Sequence, residues 1–400
     1  MPAARPSGLY AALLAQLRIG HSAGEAGKGG GGLLELSEGA RLQQANLEVV
    51  QSYGTNLLEV LARDATTGHD VRWMLALAVL DELVGLDRQA VTTIRFFSCQ
   101  GFLKHLVESL AADGAGLGEL LTKPGGNVRY LYVFEAKLGL LVRAAFYPAG
   151  AELLLQAGLM ARLAELSLSL RPDLDTPLLQ QSGKGGALQR YHAVLFPVLR
   201  LCLAVLASLG GDNLSAAMQV LQFLTGHEET VSLVLRGATA RAALHPALLQ
   251  ELALLTAVVS RAAGLDLRPE HTDAASIELA GQQARLQRQM LALLTQFQLT
   301  DELVVALGSA DLMLLVLQIV SNCVGFARSL VAASGSSSRS CRLVVTPSLQ
   351  EETDGPASAR PASTSTGLLV LLARRLATQL GRSRGLLAPA RDRLASRSRS

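Results

Sequence analysis

Short segments of four kinds carry the residue types and spacings that chemistry would need. "GHSAG", Gly20–Gly24, has the G-x-S-x-G pattern of a nucleophile elbow, in which a sharp strand-to-helix turn exposes the serine. Ser22 instead follows a helical apolar pattern and leads into glycines, so ester hydrolysis is a minor reading. "GKGG" occurs at Gly27–Gly30 and at Gly183–Gly186 and is similar to a phosphate loop. Neither copy has the glycine five residues before the Gly-Lys pair or a hydroxyl after the lysine to meet magnesium. "HEET", His227–Thr230, begins like a zinc-protease helix, but Val231 stands where the second histidine belongs. The acid pairs Asp81–Glu82 and Asp301–Glu302 fall at helical positions and read as solvated faces. No constellation of base, nucleophile and orienting group emerges, and no cofactor or metal is expected.

The elements that would have to position these residues are helices. Half the chain is apolar, aromatics are few and charged residues make up 17%. Strand-like runs are scarce, the nearest being "CRLVVTP" at Cys341–Pro347. The N-terminus has an arginine and then a short apolar run, as a leader might. Leu9, Leu13 and Leu17 also fall at i, i+4, i+8, and a first helix is the reading adopted. A glycine-rich spacer over Gly24–Gly32 completes an N-terminal region, residues 1–36.

The body spans residues 37–333. Ser37 reads as an N-cap for one helix through "RLQQANLEVVQSYGTNLLEVLARDA", and Asp70 caps the next. "RQAVTTIRFFSCQGFLKHLVESLAA", "VRYLYVFEAKLGLLVRAAF" and "AELLLQAGLMARLAEL" follow, each read as one helix, and five more lie beyond residue 213. Between them, Gln189–Gly211 is apolar around most of its circumference, with Pro197 expected to kink it. A membrane span is disfavoured because Arg200 stands in the middle of too short a run. A buried helix with the Arg200 head at the surface fits better. The repeating unit is a helix pair of roughly 40 residues, so the expected fold is an all-α, irregular HEAT-like solenoid of stacked antiparallel pairs. A Ser/Pro-rich loop at 334–367, a terminal helix at 368–381 and a disordered basic tail at 382–400 complete the expected organisation.

Net charge is +3, unevenly spread: from Arg360 onward nine arginines face one acid, Asp392, which leaves the rest of the chain at −5. A mildly acidic body with a basic tail does not resemble a nucleic-acid-binding domain, whose basic residues form a stripe on folded structure, and no specific nucleic-acid partner is expected. Cys99, Cys202, Cys323 and Cys341 are widely separated and show no zinc spacing; three of them lie inside apolar helical stretches, and they read as small buried hydrophobes in a reducing compartment.

In order and spacing, "LQRYHAVLFPVLRLCLAVLASL", "AAMQVLQFLTGHEETVSLVLR", "LLQELALLTAVVSRAAG", "IELAGQQARLQRQMLALLTQF" and "LVVTPSLQEETDGPASARP" resemble the C-terminal part of the large inner-ring scaffold nucleoporins of the nuclear pore. The resemblance runs from about Glu38 to Leu372, and its motifs carry packing, not chemistry. It implies a non-enzymatic solenoid at the nuclear envelope that binds short helical segments of adaptor and linker nucleoporins. Family chains are several times longer, so this sequence is expected to be a C-terminal fragment or a truncated gene model. Tyr191 and Phe223 are candidate contact residues, and Glu278, Arg285 and Arg288 are the charged flank of a candidate groove. A soluble HEAT-like transport receptor or adaptor is the competing function.

Overall fold

The computed structural model describes residues 6–26, 32–67, 70–86, 90–123, 127–166, 168, 171–172, 186–210, 213–236, 245–263, 274–296 and 310–336. The 368–381 helix, the basic tail, Cys341, Asp301–Glu302 and all but Gly186 of the two GKGG segments lie outside them, apart from the bounds given below. The chain divides into two compact units, Met1–Gly210 and Gly211–Ser400. Among the described residues there are fifteen helices and no strand.

Unit one holds α1 (Pro6–Ala26), α2 (Gly32–Gln51), α3 (Gly54–Thr67), α4 (Asp70–Leu86), α5 (Ala90–Cys99), α6 (Phe102–Thr122), α7 (Arg129–Ala145), α8 (Pro148–Gln156), α9 (Leu159–Ala164) and α10 (Ala187–Leu209). Unit two holds α11 (Leu214–Gly226), α12 (Glu228–Arg236), α13 (Pro246–Ala262), α14 (Ala274–Gln296) and α15 (Ala310–Ser336). The start signals are local. Asn213 accepts the Ala216 N–H as an N-cap, and Pro148 and Pro246 occupy first turns, where a missing N–H costs nothing. Ser37 lies inside α2, because the apolar pattern reaches back through Leu33 and Leu34.

Three segments that read as single helices are each broken in two. Gly54, Gly101 and Gly158 take φ of +60°, +71° and +80° between α2 and α3, α5 and α6, and α8 and α9. A left-handed residue ends a helix, and glycine adopts it without the Cβ penalty. Apolar periodicity continues across each break, which hides it from a pattern reading.

The breaks change the repeat as well. In unit one, α1, α4, α7 and α10 pack successively on one another. The last three start at Asp70, Arg129 and Ala187, so the layer recurs about every sixty residues rather than every forty. Cross-helix bonds give directions. Tyr10 meets Asp64, which also pairs with Arg72, and Arg18 meets Glu82, so α1 and α4 run parallel. Trp73 lies by Lys137, Asp81 by Arg143 and Val84 by Tyr147, so α4 and α7 run parallel too. Intervening helices return the chain: Gln43 and Asn46 of α2 donate to the Leu17 and Gln16 carbonyls, an antiparallel pair. The result is an all-α solenoid arrangement.

α10 is the one described helix long and apolar enough to cross a bilayer. It runs through Pro197, and 12 of its 23 residues, Leu188 to Leu206, are buried. It packs on α6, α7 and α8, while Arg200 is exposed. Its solvent is therefore the interior of unit one. In unit two, α13 packs on α11, α12, α14 and α15. Asn322 of α15 donates to the Ala253 carbonyl at 3.0 Å and to Thr256 Oγ1 at 3.1 Å.

Candidate interaction surface

The segments with chemical spacing take structural roles. Ser22 lies within α1, where the backbone is helical over Gly20–Gly24, so the strand–turn–helix of a nucleophile elbow is absent there. His227 sits at the start of α12, its ring edge-on to Phe223 at 5.1 Å, and Val231 is buried in the core. No group of three metal-ligating side chains occurs among the described residues.

Asp81 and Glu82 are a correction. They are not a solvated face: successive residues on a helix point about 100° apart, so one acid reaches each flanking helix. Glu82, 8% exposed, pairs with Arg18 of α1. Asp81 takes the Arg143 Nε–H of α7 at 3.0 Å, a bond that raises the guanidinium pKa above its usual value.

About two turns back along the same layer lies a buried ionic cluster. Lys137 Nζ of α7, whose side chain is 1% exposed, donates to Asp113 Oδ2 of α6 at 2.7 Å. It also donates to the Ser109 carbonyl at 3.4 Å and stands 4.7 Å from the Trp73 ring centroid of α4. Burial pushes the Asp113 carboxyl up and the Lys137 amine down from their ordinary values, and the attraction between them offsets part of each shift. Sequence reasoning missed this cluster, since partners 24 residues apart leave no motif.

The proposed contact aromatics are interior. Tyr191 is fully buried, with its hydroxyl donating to the Leu168 carbonyl at 3.3 Å, and Phe223 is 3% exposed. Neither presents surface to a partner, because both fill the cores of their own units. Glu278, Arg285 and Arg288 are exposed on α14. Arg285 pairs with Glu228 of α12 at 3.2 Å, and Arg288 donates to its own helix at the Ala284 carbonyl.

Exposed apolar side chains lie elsewhere. On α2, Leu42, Val49 and Tyr53, the last just past its end, are 55%, 61% and 65% exposed. Their i, i+7, i+11 spacing puts them on one side of that helix, turned away from Leu47 and Val50, which are buried. On α11, Leu214 and Met218 form a shorter exposed pair at i, i+4.

These features define a stacked, all-α protein whose ionic side chains join helix to helix and whose free apolar residues lie on outer helix faces. Residues 6–263 match the family model described as nuclear pore complex scaffold, nucleoporins 186/192/205. The chain is 36% identical over 345 residues to the human nuclear pore complex protein Nup205, covering 79% of this chain and 17% of that one. It is 35% identical over 263 residues to the Drosophila melanogaster Nup205, covering 64% and 12% of the two chains. For the Arabidopsis thaliana NUP205 the identity is 24% over 217 residues, covering 50% and 11%. The chain belongs to the nucleoporin 186/192/205 family of nuclear pore complex scaffold proteins. It spans about a sixth of the length of its human relative.

Proposed function

We propose that the chain is a structural element of the inner ring of the nuclear pore, holding short amphipathic helical segments of adaptor and linker nucleoporins and so supporting nucleocytoplasmic transport. The observation that carries this reading is family membership over residues 6–263. The surface agrees with it: the Leu42–Val49–Tyr53 face of α2 offers the ridge an amphipathic helix needs for i, i+4, i+7 anchors. On the second unit, the exposed Glu278, Arg285 and Arg288 of α14 are the residues proposed as the charged flank of a separate groove. No step of this function draws on a nucleotide or a metal.

Binding through an apolar face survives moderate salt, whereas capture by the arginine-rich tail weakens steeply as salt screens it. The test is a pull-down of adaptor nucleoporin segments by the full chain and by a chain ended at Gly381, across a salt series, with Tyr53→Glu and Val49→Glu beside them. Retained binding without the tail, lost in the two α2 variants, supports the reading. Loss of binding on removing the tail, or tagged protein diffuse in the cytoplasm with no rim at the nucleus, overturns it.

A further inference from the structure

We propose that the Asp113–Lys137–Trp73 cluster is a register lock, a polar device that selects one axial setting of α7 between α6 and α4. The apolar surfaces of these helices set the axial position only through the fit of side-chain sizes. α6 buries Phe102, Leu103, Leu106, Val107, Leu110, Leu117, Leu120 and Leu121. α7 answers with Val133, Phe134, Leu138, Leu140, Leu141, Ala144 and Ala145. Sliding one helix by a turn, about 5.4 Å, keeps most of these side chains against apolar neighbours and changes how well their sizes match, because apolar burial is not directional.

The charges add a directional selection. α6 has three acids, but Glu108 and Glu119 are solvent-facing and pair with Lys104 and Lys123. Asp113 alone is buried toward α7, and Lys137 is the one buried base of α7. A slip of one turn in either direction moves the ammonium opposite Leu110 or Leu117, where a desolvated charge has no partner. It also carries the ammonium off the Trp73 ring, so both α6 and α4 oppose the slip. The cluster is poorly suited to be a source of stability. Burying two charges costs about what their attraction returns, and the Trp73 indole N–H is buried without a protein acceptor. What an apolar filling of equal volume lacks is direction. A single polar group in an apolar seam is known to fix helix register in this way.

Trp73 is the only tryptophan of the chain and sits inside the lock, so 5-fluorotryptophan incorporated into the 400-residue chain gives one ¹⁹F signal from the site. The test compares the parent protein, Lys137→Met, and the double variant Asp113→Leu with Lys137→Met. Expected are one sharp signal in the parent, a large loss of thermal midpoint in the single variant, and a double variant with parental helicity and a midpoint within a few degrees of the parent. In that double variant the signal splits or broadens into several environments. A double variant with one sharp signal overturns the proposal, because the remaining contacts of α7, its packing together with the Asp81–Arg143 and Tyr147–Val84 bonds to α4, then select the register without the cluster. A double variant as unstable as the single one overturns it too, because the pair then acts through stability.

Discussion

At the scale of single residues, the polar side chains of unit one serve helix contacts rather than chemistry. Tyr10 shows this in a form that titrates. Its hydroxyl donates to Asp64 Oδ2 at 2.7 Å, and burial, with the hydrogen bond and charge of Asp64, raises its pKa from 10.0 to about 12. A group whose pKa is raised on folding contributes stability that is fully present below its unfolded value. Tyr10 therefore contributes fully below about pH 10, and the contribution fades as pH climbs toward about 12. The expected result is a tyrosinate transition near pH 12 in the native absorbance titration that Tyr10→Phe removes, and a Tyr10→Phe midpoint of unfolding that is less sensitive to pH between 10 and 12. A native titration unchanged by the substitution contradicts it. Little of this layer of contacts was legible in the sequence. Arg18–Glu82 and Asp81–Arg143 join residues 64 and 62 positions apart, and no local spacing marks such partners. Tyr191 and Phe223 misled because aromatic type suggests an interface as readily as a core, and only packing decides. The cysteines read correctly as small buried hydrophobes where the fold buries them, Cys202 and Cys323, whose thiols burial pushes up to about 12. Cys99 is exposed.

At the scale of elements, helix existence was readable from apolar spacing and helix number was not. The breaks at Gly54, Gly101 and Gly158 depend on backbone sign, and a glycine within a periodic run reads as tolerated rather than as a stop. Two glycines separate the possible reasons for needing one. At Gly101 a Cβ would meet nothing within 4 Å, so the requirement is the positive φ alone. Gly101→Ala is expected to cost about 1–2 kcal/mol, the left-handed penalty for an L residue. At Gly150 a Cβ would fall 2.2 Å from the Ala144 carbonyl oxygen, so the α7–α8 turn itself must move. Gly150→Ala should destabilise by more than Gly101→Ala, as read from denaturant midpoints at equal slope. The reverse order would show that the close approach of α8 to α7 relaxes freely.

At the scale of the whole molecule, the sixty-residue recurrence of α1, α4 and α7 makes unit one close to one-dimensional. Each layer helix touches its predecessor, its successor and the helices that return the chain, as in other solenoids. A closed globular core spreads the loss of one buried side chain over the entire fold, whereas a stack confines it. Leu17 is the test position. It is fully buried in α1, which packs on α2 and α4, and its backbone carbonyl accepts from Gln43 of α2. Leu17→Ala removes about 2–5 kcal/mol of packing at a cavity-forming core site. In hydrogen exchange the expected outcome is a rise in rates across α1, α2 and α3, fading at α4, with α7 and α10 keeping parental protection. In that pattern the layer opens from its α1 end as a local unit. Uniform loss of protection from α1 through α10 would mean that unit one opens all at once, and that its layered order is an appearance of the packing rather than the way its stability is distributed.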